Sequence, residues 1–287
     1  MLNNEDIHIR DPFVLVYDGK YYLYGSRGNE TWGHCTGLDV YVSEDLYNWE
    51  EPYTVFTPSS DFWSDYHFWA PEVHKVGEGF YMFVSFKSDS RHRGTQILRS
   101  ESPMGPFVPL TKYPVTPEEW ECLDGTLYTD ENGKHSIVFC HEWTQIGNGE
   151  ICAMPLSDDL KKAEGEPVVL FDAAGAGWPK SLPAGDTCFV TDGPYLYKTS
   201  SGRLIMLWSS FSGKGYAEAE AYSENGSLYG EWKHNPQLLS DSDGGHGMLF
   251  HTVEGSLMFV MHSPNTLGNE RPVFIRAEDT GNGIKLF

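Results

Sequence analysis

Residues 12–26, PFVLVYDGKYYLYGS, decide the fold, because the chain repeats their grammar four more times. Each copy is a short apolar strand, a Gly-containing tight turn and a second apolar strand. The later copies read PEVHKVGEGFYMFVSF from Pro71, GTLYTDENGKHSIVFCH from Gly125, GPYLYKTSSGRLIMLWSSF from Gly193 and GMLFHTVEGSLMFVMHS from Gly247. With turns placed at Gly19, Gly79, Gly133, Gly202 and Gly255, the intervals are 60, 54, 69 and 53 residues. Repeats of roughly 50 residues belong to propellers and related arrays, in which each unit buries its faces only against its neighbours. A third strand follows each hairpin, starting at Leu38, Thr95, Glu150, Tyr216 and Pro272. Ser-acid turns such as SEDLYNW and SENGSLYGEW follow four of these strands, with side chains suited to bonding nearby backbone amides. Helical periodicity with capping is absent over any useful length. The five units consume the chain, so residues 1–287 are expected to form an all-β, single five-bladed β-propeller with four-stranded blades.

Composition agrees. Gly (30 residues) is spent mostly in turns, and aromatic residues make up 14% of the chain, as strand-rich folds prefer. Twenty Lys and Arg stand against 41 Asp and Glu, a net charge of −21 that argues against nucleic acid or an anionic membrane as partner. A neutral substrate fits such a surface, although acidity also simply keeps a protein soluble. No run approaches the ~18 apolar residues of a membrane span. The N-terminus MLNNEDIHIRDP lacks a signal-peptide layout, so a cytoplasmic location is expected, or secretion if a leader was trimmed. Cys35, Cys122, Cys140, Cys152 and Cys188 have no metal-ligand spacing and read as buried thiols. Oligomeric state is not legible.

In a propeller the innermost strands converge on one axis, so residues that begin them meet at one mouth. In front of four of the hairpins stands a polar residue at nearly the same place: Asp11, Asp124, Asp192 and His246. Asp-Pro and Asp-Gly are common turn pairs, but here each precedes a strand, and the hairpin turns come 8 to 10 residues later. Three carboxylates in one apolar-walled cavity cannot all ionise freely, which separates an acid from a base. Such a pair across a glycosidic bond is the minimum machinery for sugar hydrolysis. Trp69 before the second hairpin is a candidate platform for an apolar sugar face, or else a buried inter-blade aromatic. Trp32, Trp143 and Phe211 are further candidates of this kind. His246 reads either as a ligand to a cation or water on the axis or as a hydrogen-bonded structural residue.

At these residues the chain resembles the family-43 glycoside hydrolases, the inverting arabinofuranosidases, xylosidases and arabinanases. The likeness spans nearly all 287 residues and rests on IRDPFVL with Asp11, WAPEV with Trp69, LDG with Asp124, TDGPYLY with Asp192 and GGHGM with His246. It implies a general base at Asp11 and, at Asp124, an aspartate that orients the acid and raises its pKa. In some relatives the axial histidine, here His246, binds a calcium ion or a water; the chemistry itself needs no cofactor. The family acid is usually Glu in Glu-Gly-Pro, whereas this chain has Asp192-Gly193-Pro194. Asp is one methylene shorter, and a misplacement of ~1 Å can cost ~100-fold in rate. Asp192 is the expected acid, with Glu142 and Glu220 as substitutes. The expected substrate is an oligosaccharide or polysaccharide carrying α-L-arabinofuranosides first and β-D-xylosides second. The competing readings are a non-catalytic carbohydrate-binding propeller and a retaining hydrolase like the invertase and levanase propellers, whose RDP and EC strings recur here in the wrong order.

Overall fold

The computed structural model describes residues 1–287 as five antiparallel sheets of four strands each. Blade one holds β1 (Ile9–Tyr17), β2 (Lys20–Arg27), β3 (Leu38–Ser43) and β4 (Tyr53–Phe56). Blade two holds β5 (Tyr66–Val76), β6 (Gly79–Ser88), β7 (Arg91–Ser100) and β8 (Val108–Pro109). Blade three holds β9 (Cys122–Thr129), β10 (His135–His141), β11 (Glu150–Pro155) and β12 (Val168–Asp172). Blade four holds β13 (Asp192–Lys198), β14 (Leu204–Ser212), β15 (Gly215–Ser223) and β16 (Trp232–His234). Blade five holds β17 (Gly245–His251), β18 (Leu257–Ser263), β19 (Arg271–Asp279) and β20 (Ile284–Leu286). Strand order within every sheet follows chain order, so the expected five-bladed propeller is the observed one. The single α-helix, α1 (Trp143–Ile146), has four residues. In blade two the left-handed turn residue is Gly77 at φ +57°, and Gly79, read from sequence as the turn, instead opens β6.

The second strands read as continuous apolar runs because both of their faces are covered. In β14, Leu204, Met206 and Trp208 pack toward blade three against Val138, Cys140 and Ile151. The alternate residues Ile205 and Leu207 pack toward blade five against Leu249 and Phe259. The period of two thus divides one strand between two inter-blade cores. The Ser turns behave as read: Ser43 Oγ accepts from the Asp45 and Leu46 amides, and the following Trp49 is fully buried.

No strand is shared between the first and last blades, so the ring closes through side chains. Met248, Phe250 and Val260 of blade five join the core of blades one and two. Arg10 Nη1 pairs with Glu270 Oε1 at 2.8 Å, with both groups largely buried.

Each innermost strand carries a bulge at the same place, marked by register shifts between Arg10 and Phe13, Trp69 and Glu72, Asp192 and Tyr195, and Gly245 and Met248. The third blade shifts opposite Val138 and Cys140. At every bulge one residue adopts a left-handed conformation: Asp11 (φ +54°), Ala70 (+50°), Asp124 (+54°), Gly193 (+55°) and His246 (+53°). Bulges re-aim side chains, and left-handed backbone in non-glycine residues tends to mark functional positions.

At blade four the bulge falls one residue later than the sequence strings suggest. The counterpart of Asp11 and Asp124 is Gly193, and Asp192 stands one position earlier, with Arg10, Trp69, Leu123 and Gly245. The reason is steric. A Cβ at Gly193 would lie 2.8 Å from Cγ of His246, so no side chain fits there and the carboxylate comes from residue 192.

Candidate active site

The bulge residues are held by the preceding blade. Ser26 Oγ accepts from the Ala70 amide (2.8 Å), Ser85 Oγ from Asp124 (3.0 Å) and Ser209 Oγ from His246 (2.7 Å). At the ring closure His262 Nδ1 accepts from the Asp11 amide at 3.2 Å. These acceptors occupy one register position, opposite the residue before the bulge: Ser85 faces Trp69, Ser209 faces Asp192 and His262 faces Gly245. At the joint from blade three to blade four that position is Cys140, opposite Leu123. There the Gly193 amide donates to Asp124 Oδ2 at 2.9 Å instead.

A second acceptor appears only where it has a donor to meet. Asp124 and His246 are followed by glycine, and the Gly125 and Gly247 amides donate to Thr95 Oγ1 (3.1 Å) and Glu218 Oε2 (3.1 Å). Asp11, Ala70 and Gly193 are followed by proline, which has no amide to satisfy.

At the mouth above these bulges lies a cavity of about 550 Å³. Asp11, Asp124, Asp192, His246, Trp32, Trp69, Trp143 and Phe211 all line it, so the residues singled out from sequence come together in one place. Phe211 lies within β14 itself and Trp143 opens α1. Leu182, from the Gly/Pro-rich stretch before blade four, also reaches this wall, whereas Trp178 packs on Trp208. Glu220 lies elsewhere and accepts the Ile284 amide.

The three carboxyls have different surroundings. Burial alone would push Asp11 up, but His246 and Arg10 nearby and the Ser26 hydroxyl (2.6 Å to Oδ2) outweigh it and hold its pKa below the ordinary range. Burial pushes Asp192 up to about 7, helped by Asp124 and opposed by His246 and by the Tyr216 hydroxyl, which donates to Oδ2 at 2.8 Å. Asp124 is also raised well above a normal carboxyl, by burial and then by Asp11, with the Gly193 amide opposing. Asp124 and Asp192 are therefore a coupled pair that retains a proton near neutrality.

Two histidines flank Asp11. His246 Nδ1 lies 3.3 Å from Asp11 Oδ1 and 3.6 Å from Asp124 Oδ2. His262, buried and with its pKa lowered to about 3, is neutral. It accepts the Asp11 amide at Nδ1, which places its proton on Nε2, facing Asn265 Oδ1 at 3.3 Å. Its 3.6 Å approach to Asp11 Oδ1 is therefore not an ion pair. No group of three or more His, Cys, Asp or Glu is arranged to hold a metal ion, so a calcium ion beside His246 would draw most of its six to eight oxygen ligands from water.

The aromatic wall is braced from blade two. His67 stacks on Trp69 with ring centroids 4.5 Å apart and 13° between planes, and the Arg93 guanidinium lies 4.0 Å from the Trp69 ring centre. Arg93 Nη2 contacts His67 Nδ1 at 2.9 Å, and Nη1 pairs with Glu142 in a buried bridge. His67, lowered to about 4 by burial and by Arg93, is neutral and can accept from it. Glu142 thus lines the cavity as the partner of Arg93. Trp32 meets Trp69 edge-on at 5.1 Å and is 57% exposed, so it forms the outer lip.

The sequence profile described as glycosyl hydrolases family 43 matches residues 6–278. The chain belongs to this family. Family-43 membership agrees with the solved structures it resembles. An endo-arabinase from Bacteroides thetaiotaomicron is 41% identical, with a TM-score of 0.89 over 96% of this chain and 95% of that one. An endo-1,4-beta-xylanase from the same organism is 25% identical, with a TM-score of 0.82 over 99% and 96%. A curated xylosidase/arabinosidase from Bacteroides ovatus is 28% identical over 210 residues, 63% of this chain and 63% of that protein. The family-43 chain thus spans less than two thirds of that relative's length.

Proposed function

We propose that this protein is a glycosidase that cleaves plant-type polysaccharides or their oligosaccharides with inversion, acting on α-L-arabinofuranosyl linkages first and β-D-xylosyl linkages second. The observation that carries the reading is the opposite proton preference of two carboxyls in one cavity: Asp11 is held below its ordinary range and Asp192 is pushed up to about 7. In this mechanism Asp11, ionised, removes a proton from the water that attacks the anomeric carbon. Asp192, protonated, delivers its proton to the leaving oxygen on the other side, through an oxocarbenium-like transition state. Asp124 keeps the proton on Asp192 until it is needed. Trp69, Trp32, Trp143 and Phe211 offer apolar surfaces to sugar faces. The order of substrates is supported by the 41% identity to the endo-arabinase.

The test is hydrolysis of linear arabino-oligosaccharides, xylo-oligosaccharides and aryl glycosides by the wild type, Asp11→Ala and Asp192→Ala, with the anomer of the first product read by proton NMR. Turnover of an arabinoside to the inverted product, lost in Asp11→Ala, is expected. Retained configuration, or full activity without Asp11, would refute the mechanism. Sugar binding with no turnover would favour a binding module.

A further inference from the structure

Four of the five joints between blades use a second-strand side chain to accept the amide of the next bulge residue: Ser26, Ser85, Ser209 and His262. Only the joint from blade three to blade four lacks one. Cys140 stands at that register position, fully buried. A thiol is a weak acceptor beside a hydroxyl or an imidazole. Gly193 is buried, and an unpaired buried amide is costly.

We propose that Cys140 is a positioning residue: by withholding the hydroxyl that its counterparts supply, it leaves the Gly193 amide to the Asp124 carboxylate, and so decides which of two neighbouring carboxyls carries their shared proton. An amide donor favours the ionised form of its acceptor. With Gly193 donating to Asp124, negative charge is drawn to Asp124 and the proton to Asp192. The inference rests on the proposed roles of Asp124 and Asp192. Other groups face the pair and are unchanged by it. Asp124 is approached by Asp11 from β1, Glu72 from β5, Arg93 from β7 and His246 from β17. Asp192 is approached by Tyr216 from β15, which favours its charged form and opposes the Gly193 effect, and by Asp11 and His246.

Cys140→Ser restores the hydroxyl of the other joints, and Cys140→Ala offers no acceptor. In Cys140→Ser the Gly193 amide moves to the new hydroxyl, the proton shifts toward Asp124 and Asp192 ionises earlier. The alkaline limb of kcat/KM on an arabino-oligosaccharide should fall by about one pH unit, the size of one charge-assisted hydrogen bond. In Cys140→Ala it should stay in place. A limb that moves equally in both variants, or in neither, overturns the proposal.

A second measurement needs no activity. Asp124→Ala strips the Gly193 amide of its acceptor, so Cys140→Ser should raise the thermal midpoint by a few degrees more in the Asp124→Ala background than in the wild type. Additive midpoints would overturn the proposal that Cys140 leaves the Gly193 amide to Asp124 even if the protein proves not to be a glycosidase. An unmoved limb in an enzyme that still depends on Asp11 and Asp192 would sink the inference and leave the function standing.

Discussion

Asp192 and Gly193 divide between them what a single residue does in blades one and three. Gly193 takes the left-handed bulge conformation of Asp11 and Asp124, because the His246 ring leaves no room for a side chain there. Asp192, one position earlier, supplies the carboxylate and faces Ser209 across the ladder. The carboxyls of blades one and three therefore spring from the bulge, and that of blade four from the strand beside it. Asp11 and Asp124 sit close to His246 on the axis, while Asp192 reaches Tyr216.

If Asp192 is the acid, its loss is felt in proportion to how poor the leaving group is. Asp192→Ala should lower kcat on unactivated oligosaccharides by ~10²–10⁴-fold, the usual contribution of acid–base help. Aryl glycosides with acidic phenols should lose far less. A uniform loss across leaving groups would mean that Asp192 only shapes the cavity.

Tyr216→Phe removes a donor to Asp192 Oδ2 that favours the carboxylate. Without it the acid holds its proton longer, so the alkaline limb, expected near pH 7 in the wild type from Asp192, should move upward. The acid limb, set by Asp11, should not move. Rate measurements from pH 5 to 9 on one oligosaccharide decide the matter, and a downward shift would contradict the assigned hydrogen bond.

Much of this was legible in the sequence. The period, hairpins and third strands follow from alternation and turn chemistry, and the candidate residues, apart from Phe211 inside β14, open or follow inner hairpins that a propeller brings to one mouth. The off-by-one at blade four arose because Asp124-Gly125 and Asp192-Gly193 are the same string. The bulge residue is Asp in one and Gly in the other, and only the collision with His246 distinguishes them. The residues that accept the next bulge amide were present in the quoted hairpins, at Ser26, Ser85, Ser209 and His262, and so was Cys140 at the position that lacks one. Their common register could have been aligned, but no periodicity says that a Ser near the end of a strand meets the next blade. Arg93, His67 and Tyr216 carry no repeat signal, since each has its role in one blade only.

Glu142 was a substitute acid by sequence, but its carboxylate is committed to Arg93, and both are nearly inaccessible. Glu142→Ala should leave a buried, unpaired guanidinium and cost ~3–5 kcal/mol of stability. Activity should fall through a raised KM, because Arg93 braces Trp69 and His67. The pH limbs should stay where they are. A shifted alkaline limb would return Glu142 to contention as the acid.

Glu218 offers a test of stability against pH. It is fully buried, and Oε2 accepts from Ser209 Oγ (2.6 Å) and the Gly247 amide while Oε1 has no partner. Burial raises its pKa from 4.5 to about 8, against the pull of these donors. Below pH 4.5 the group is protonated in folded and unfolded chains alike, and its contribution is fully present. As pH rises from 4.5 toward 8, only the unfolded chain releases the proton, so stability is progressively lost. Glutamine keeps the acceptor and never ionises. Glu218→Gln should therefore melt close to the wild type at pH 5 and several degrees above it at pH 8.5, with Asp124 and Asp192 contributing equally to both proteins. Thermal midpoints across this range are the measurement. A gap that does not widen with pH would mean that Glu218 finds enough compensation in the fold to ionise as freely as it does in the unfolded chain.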